Sequence, residues 1–139
     1  MIQHQDTLTI RTRGKGLQEI TRDITAWLSR LGVSTGMLTV FCQHTSASLT
    51  IQENADPDVQ RDLETFFDRS VREDPTLYRH RAEGADDMPA HIRSALTDVQ
   101  LTIPVRGGSM ALGTWQGVYL FEHRASPHSR HLVLHYLGD

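Results

Sequence analysis

The apolar positions change period along the first third of the chain. From Thr7 to Arg13 they alternate, Leu8 and Ile10 against Thr7, Thr9 and Arg11, which predicts a half-buried strand. After the break at Gly14-Lys15-Gly16 the spacing becomes three and four. Leu17, Ile20, Ile24, Leu28 and Leu31 then line one face of a helix, with Gly32 placed to end it in a left-handed cap. Met37–Gln43 is apolar and β-prone and reads as a buried strand. His44-Thr45-Ser46 interrupts it, and Ala47–Gln52 continues it with Leu49 and Ile51 on one side.

Asp56 suits a helix N-cap and Pro57 the first helical position, where its missing N–H costs nothing. Val59, Leu63, Phe66 and Phe67 supply the stripe of a second amphipathic helix. Asp68 to Glu83 is charged and aperiodic, hence mostly loop. Asp86-Asp87-Met88-Pro89 opens a short third helix, whose expected buried stripe is Ile92, Ala95 and Leu96. Val99, Leu101, Ile103 and Val105 alternate in a strand that stops at Arg106-Gly107-Gly108, with Pro104 marking an edge or strand end. Met110–Leu112, Val118–His123 and Leu132–Leu137 are further strands. No regular βαβ rhythm exists, so the pattern favours one α+β domain over residues 1–139. Its expected core is a largely antiparallel, sandwich-like sheet arrangement with about three helices.

Composition narrows the functions rather than the fold. The 139 residues are 38% apolar and 22% charged with net charge −3, an ordinary globular mixture without a basic run. Nucleic acid is therefore not an expected partner. No stretch reaches the length of a membrane span, the N-terminus lacks the apolar core of a signal peptide, and Cys42 is the sole cysteine. The expectation is a cytoplasmic protein without disulfides.

Candidate chemistry gathers in short segments. His44 follows an apolar strand and precedes two hydroxyl residues; imidazole suits proton transfer or metal ligation, the alternative being a half-buried side chain bonded to backbone. Glu53, Asn54, Asp56 and Asp58 bring oxygen ligands together, although Asp58 is better explained by the helix dipole. Asp87 and His91 stand four apart on one helix face, so the carboxylate can orient the imidazole. Glu122 and His123 point to opposite sides of a strand, so one of them at most joins a given site. His128, His131 and His135 fit a loop and terminal strand better than a zinc site, and Ser46 and Ser48 lack the glycines of a nucleophile elbow.

Gln43-His44-Thr45-Ser46-Ala47-Ser48-Leu49-Thr50 and Glu53-Asn54-Ala55-Asp56-Pro57 together resemble the signature of the YjbQ-like family. So do Glu83 to Ile92, Ala111-Leu112-Gly113-Thr114-Trp115-Gln116-Gly117 and Glu122-His123-Arg124, in the same order along nearly the whole chain. The resemblance implies a YjbQ-like α+β fold, a homotrimer and secondary thiamine-phosphate synthase activity. That reaction joins a pyrimidine diphosphate to a thiazole phosphate and releases pyrophosphate. On this reading His44, His91, Asp56 and Asp87 are catalytic, with His44 and His91 holding a divalent metal, Mg²⁺ or Zn²⁺. Thr45, Ser46, Asn54, Trp115, Gln116, Glu122 and Arg124 would contact a small phosphorylated heterocycle. A non-catalytic metal- or phosphate-ligand-binding trimer and a different metal-dependent hydrolase remain open beside it.

Overall fold

A computed structural model describes all residues from 1 to 139. Its strands are β1 (Ile2–Arg11), β2 (Gly16–Glu19), β3 (Gly36–Cys42), β4 (Ala47–Glu53), β5 (Gln100–Arg106), β6 (Ser109–Met110), β7 (Gln116–Glu122) and β8 (Ser129–Gly138). The helices are α1 (Thr21–Leu31), α2 (Pro57–Ser70) and α3 (Asp87–Leu96), with a single 3-10 turn at Pro75–Leu77. The fold is α+β, and every strand pairing is antiparallel.

The strands form two sheets, one ordered β1-β8-β3-β5-β6 and one ordered β2-β7-β4. Leu38, Val40, Leu132 and Leu134 from the first share a single core with Leu49, Val118 and Leu120 from the second and with Ile24, Trp27 and Leu28 of α1. Ile24 and Leu28 are almost wholly enclosed. Each such aliphatic side chain contributes about 1.5–3 kcal/mol relative to exposure. Gly32 ends α1 at φ +66°, in the left-handed cap that the pattern predicts.

Three local expectations need correction. Leu17 lies not in a helix but in β2, opposite Phe121 of β7. Its spacing from Ile20 imitates a helix, whereas the sheet edge satisfies the backbone at once. The first strand begins at Ile2 rather than Thr7, because β8 offers partners along its whole length, from Ser129 to Gly138. Helix α3 is turned inside out: it buries Asp87, Pro89, Ala90, Arg93 and Ser94, while Ala95 and Leu96 are exposed. Burying those charges is tolerable because each is paired, Asp87 with Arg124 and Arg93 with Asp68.

Pro104 lies opposite Met37 in β5, where only the two-residue β6 flanks the other side. Its missing N–H therefore breaks no ladder. Between β3 and β4 the chain passes from one sheet to the other, and residues 43–46 make that crossing. The candidate chemistry sits there.

Candidate metal centre

The crossing carries His44, Thr45 and Ser46, and α3 delivers Asp87 and His91 beside it. His91 Nδ1 lies 3.0 Å from the Thr45 carbonyl, which can only accept, so Nδ1 holds the proton. Nε2 then faces Asp87 Oδ2 at 3.1 Å. A carboxylate oxygen and an imidazole lone pair repel one another, so a cation belongs between them, either a proton on Nε2 or a metal ion. His80 adds its Nε2 to the same oxygen at 2.7 Å. His80, Asp87 and His91 thus hold three ligand atoms within 4.8 Å of one another.

Asp87 is fixed from behind. Its Oδ1 accepts from Arg124 Nη1 at 2.9 Å, leaving Oδ2 for the histidines. Arg124 Nε donates to Asp86 Oδ2 at 2.9 Å and Nη2 to the Glu83 carbonyl at 3.0 Å. Burial pushes the Asp87 carboxyl upward, but the His80 hydrogen bond and the charges of His91 and Arg124 prevail and hold it below the usual carboxylate range. Asp86 is lowered in the same way, its burial outweighed by the Ala125 N–H and Arg124, while its hydrogen bond to Asp86 raises Arg124.

His44 stands apart from this cluster. Its Nε2 accepts the His131 N–H at 2.8 Å, and Nδ1 faces Arg130 Nη1 at 3.3 Å. A neutral imidazole has one lone pair, and the His131 N–H takes it, so the ring as placed offers none to a metal, contrary to the expected His44–His91 ligand pair. Burial first, then the charges of Arg130 and His131, lower its pKa and keep the ring neutral. His44, Thr45 and His91 nevertheless share one shallow depression of about 240 Å³ with Ser94, Ala95 and Val99.

Ser46 and Glu122 are organised by Arg130. Its Nη2 donates to the Ser46 carbonyl at 3.1 Å and to Ser46 Oγ at 3.0 Å. Its Nε and Nη2 clasp Glu122 at 2.8 and 2.5 Å, with Thr12 Oγ1 donating to the same carboxylate at 2.6 Å. Burial raises Glu122, yet Arg130 and Thr12 overcome it, so the pair is ionised although almost fully enclosed. Glu122 Oε2 also accepts the Arg124 N–H, which ties this pair to the His–Asp cluster.

His123, on the other side of β7, is sealed in. Its Nε2 lies 2.8 Å from Ser48 Oγ and its Nδ1 has no partner. Desolvation, with Arg93 nearby, lowers it to about 3. A Ser48–His123 pair with nucleophile-like geometry exists, but both residues are wholly buried and beyond a substrate's reach.

The remaining expected residues lie at the opposite end of the β4–β7 pairing. Ala47 faces Glu122 at the cluster end and Glu53 faces Gln116 at the other, roughly 20 Å away at the strand rise. There Asn54 donates to Glu19, Asp56 caps α2 by accepting from the Asp58 N–H, and Gln116 accepts from the Gly113 N–H. Trp115 is 63% exposed. Within one chain Asn54, Asp56, Trp115 and Gln116 do not meet His91. Two residues that matter were missed. His80 sits in an aperiodic charged segment without any pattern to mark it; Arg130 was signalled only indirectly, by a buried Glu122 that required a cation.

An α+β molecule with two antiparallel sheets and a His₂Asp cluster where the chain changes sheets is thus the class to be matched. Residues 6–139 match the family model described as UPF0047 protein YjbQ-like, and the chain belongs to that family. A relative from Synechocystis, UPF0047 protein sll1880, is 56% identical over 137 residues, covering 99% of this chain and 93% of its own. UPF0047 protein YjbQ of Salmonella typhimurium is 45% identical over 98% of this chain and 99% of its own. A YjbQ/UPF0047-family crystal structure from Clostridium acetobutylicum superposes with a TM-score of 0.85 at 33% identity, covering 95% of this chain and 99% of that one. A hypothetical protein from Aeropyrum pernix gives 0.87 at 27% identity, over 98% and 99%.

Proposed function

We propose that this chain is a metal-assisted enzyme acting on phosphorylated heterocycles, with thiamine-phosphate synthesis as its concrete reaction. The observation that carries the reading is the His80–Asp87–His91 cluster beside an open depression with an apolar wall. Two imidazoles and one carboxylate suit Zn²⁺ better than Mg²⁺, which takes oxygen ligands almost exclusively. A bound divalent ion would supply positive charge for the departing pyrophosphate. Thr45 fixes the tautomer of His91, and Arg124 fixes the rotamer of Asp87, so the ligand atoms are aimed before any ion arrives. Ala95 and Val99 offer a flat apolar wall for a heterocycle, and Thr45 and Ser94 offer polar atoms at its margin. His44, held neutral, lines the depression as an uncharged ring. The single cysteine, unpaired and buried, is in keeping with work in the cytoplasm.

Asn54, Trp115 and Gln116 enter this reading only from a second copy. Phe41 and Val99 are exposed apolar side chains beside His44 and Thr45, and Trp115 is exposed at the far end of the sheet. Two unlike faces meeting head to tail form a ring when the rotation between copies closes, and a homotrimer is the ring of this reading. Light scattering at micromolar concentration should give three times the chain mass; a monomer would remove the shared site.

The test of the reaction is thiamine-phosphate formation by purified protein with Zn²⁺ or Mg²⁺, comparing wild type with His91→Ala. Product that disappears in a folded His91→Ala variant supports the assignment. Equal product from both would sink the role of His91. Metal or phosphate-ligand binding without turnover would favour the binding reading, and a faster phosphoester hydrolysis the hydrolase.

A further inference from the structure

The ligand that no sequence pattern marks, His80, is also the one held least firmly. Asp87 and His91 belong to α3, and Asp87 is enclosed and braced by Arg124. His80 instead comes from the segment between α2 and α3, where Arg79, His80 and Arg81 are all exposed. From Asp74 to Ala82 the hydrogen bonds stay within residues 72–78, with one exception. Asp74 accepts from Thr76, Leu77 N–H bonds to the Asp74 carbonyl, Tyr78 N–H to that of Pro75, and Tyr78 Oη donates to the Arg72 carbonyl. The exception is His80 Nε2 to Asp87 Oδ2. The nearest fastenings on either side are Lys15 to Glu73 and Arg124 to the Glu83 carbonyl. The groups facing the His80 ring are Asp87, the His91 ring at 5.4 Å and Glu83 at 4.0 Å.

We infer that residues 74–82 form a strap that the metal ion fastens over the site, with His80 as its buckle. This rests on reading the cluster as a metal centre and adds how that centre is closed. Asp87 and His91 make up a half-site that exists whether or not the strap is down. The ion binds there first and then draws His80 inward as third ligand. Without the ion a single hydrogen bond ties the segment to α3, so the strap opens readily with its own turn at residues 72–78 intact. With it, a coordinate bond holds the same segment down and narrows the approach to the depression.

The two arginines flanking His80 provide the test. Trypsin cleaves after Arg79 and Arg81 only when the strap lifts, whereas Arg106, exposed at the end of β5 before the Gly107-Gly108 turn, reports any effect of zinc on the protease itself. Zinc binding to the full chain is measured separately by calorimetry. The expected result is bound zinc together with cleavage at Arg79 and Arg81 slowed at least tenfold relative to Arg106. His80→Ala should be cut as fast with zinc as the wild type is without it. Bound zinc with unchanged cleavage would overturn the strap and leave the metal centre standing. Protection that survives in His80→Ala would overturn it also. Absence of zinc binding would remove the metal centre, and the strap with it.

Discussion

The two ends of the β4–β7 pairing carry equally conspicuous polar residues and use them differently. At the Ala47–Glu122 end, Glu122, Arg130, Asp87 and His123 are enclosed, and the three charged ones are paired. At the Glu53–Gln116 end, Asn54, Asp56, Trp115 and Gln116 face solvent; Asp56 and Gln116 serve a local cap and turn, and Asn54 donates to the exposed Glu19. A burst of polar residues in a sequence therefore reports that geometry is being specified, not that chemistry follows. Burial separates the two cases, since an enclosed charge persists only where its partners are fixed.

Removing one member of the enclosed pair is the strongest way to test that contrast. Arg130→Ala leaves Glu122 without its cation and should cost about 3–5 kcal/mol in chemical denaturation. Asp56→Ala at the far end removes one N-cap and should cost about 1 kcal/mol. Comparable losses from both would erase the distinction.

A smaller, pH-dependent effect comes from His123. Its folded pKa of about 3 lies below the unfolded value near 6.5, so between these the unfolded chain binds the extra proton. Stability contributed by the neutral ring is complete above pH 6.5 and falls as pH drops, by up to about 1.4 kcal/mol per unit. His44 acts in the same direction. Denaturation from pH 7 to 5 should show this slope, and His123→Gln should flatten it. An unchanged slope in the variant would assign the loss to other groups.

How much of this was legible beforehand depended on whether a residue's role was local. Asp56 and Pro57 announce the start of α2, and Gly32 the end of α1, because caps act within one turn. Asp87 and His91 were legible as a pair for the same reason. The polarity of α3 was not, since Ala95 and Leu96 point outward and the buried Asp87 and Arg93 are neutralised by Arg124 and Asp68, distant in sequence. Nor was the location of His44, whose ring is occupied by Arg130 and His131 from the last strand. Spacing sees one element at a time, and the cluster is made by four.

The central place of β8 also sets an order of events. The last strand lies between β1 and β3, so Ile2 waits for Gly138 and Cys42 for Leu132. During synthesis the earlier strands are finished long before their shared neighbour leaves the ribosome, and such distant pairings form slowly. Arg130 and the His131 N–H arrive with that strand, so the crossing at His44–Ser46 is locked only once β8 has joined the sheet.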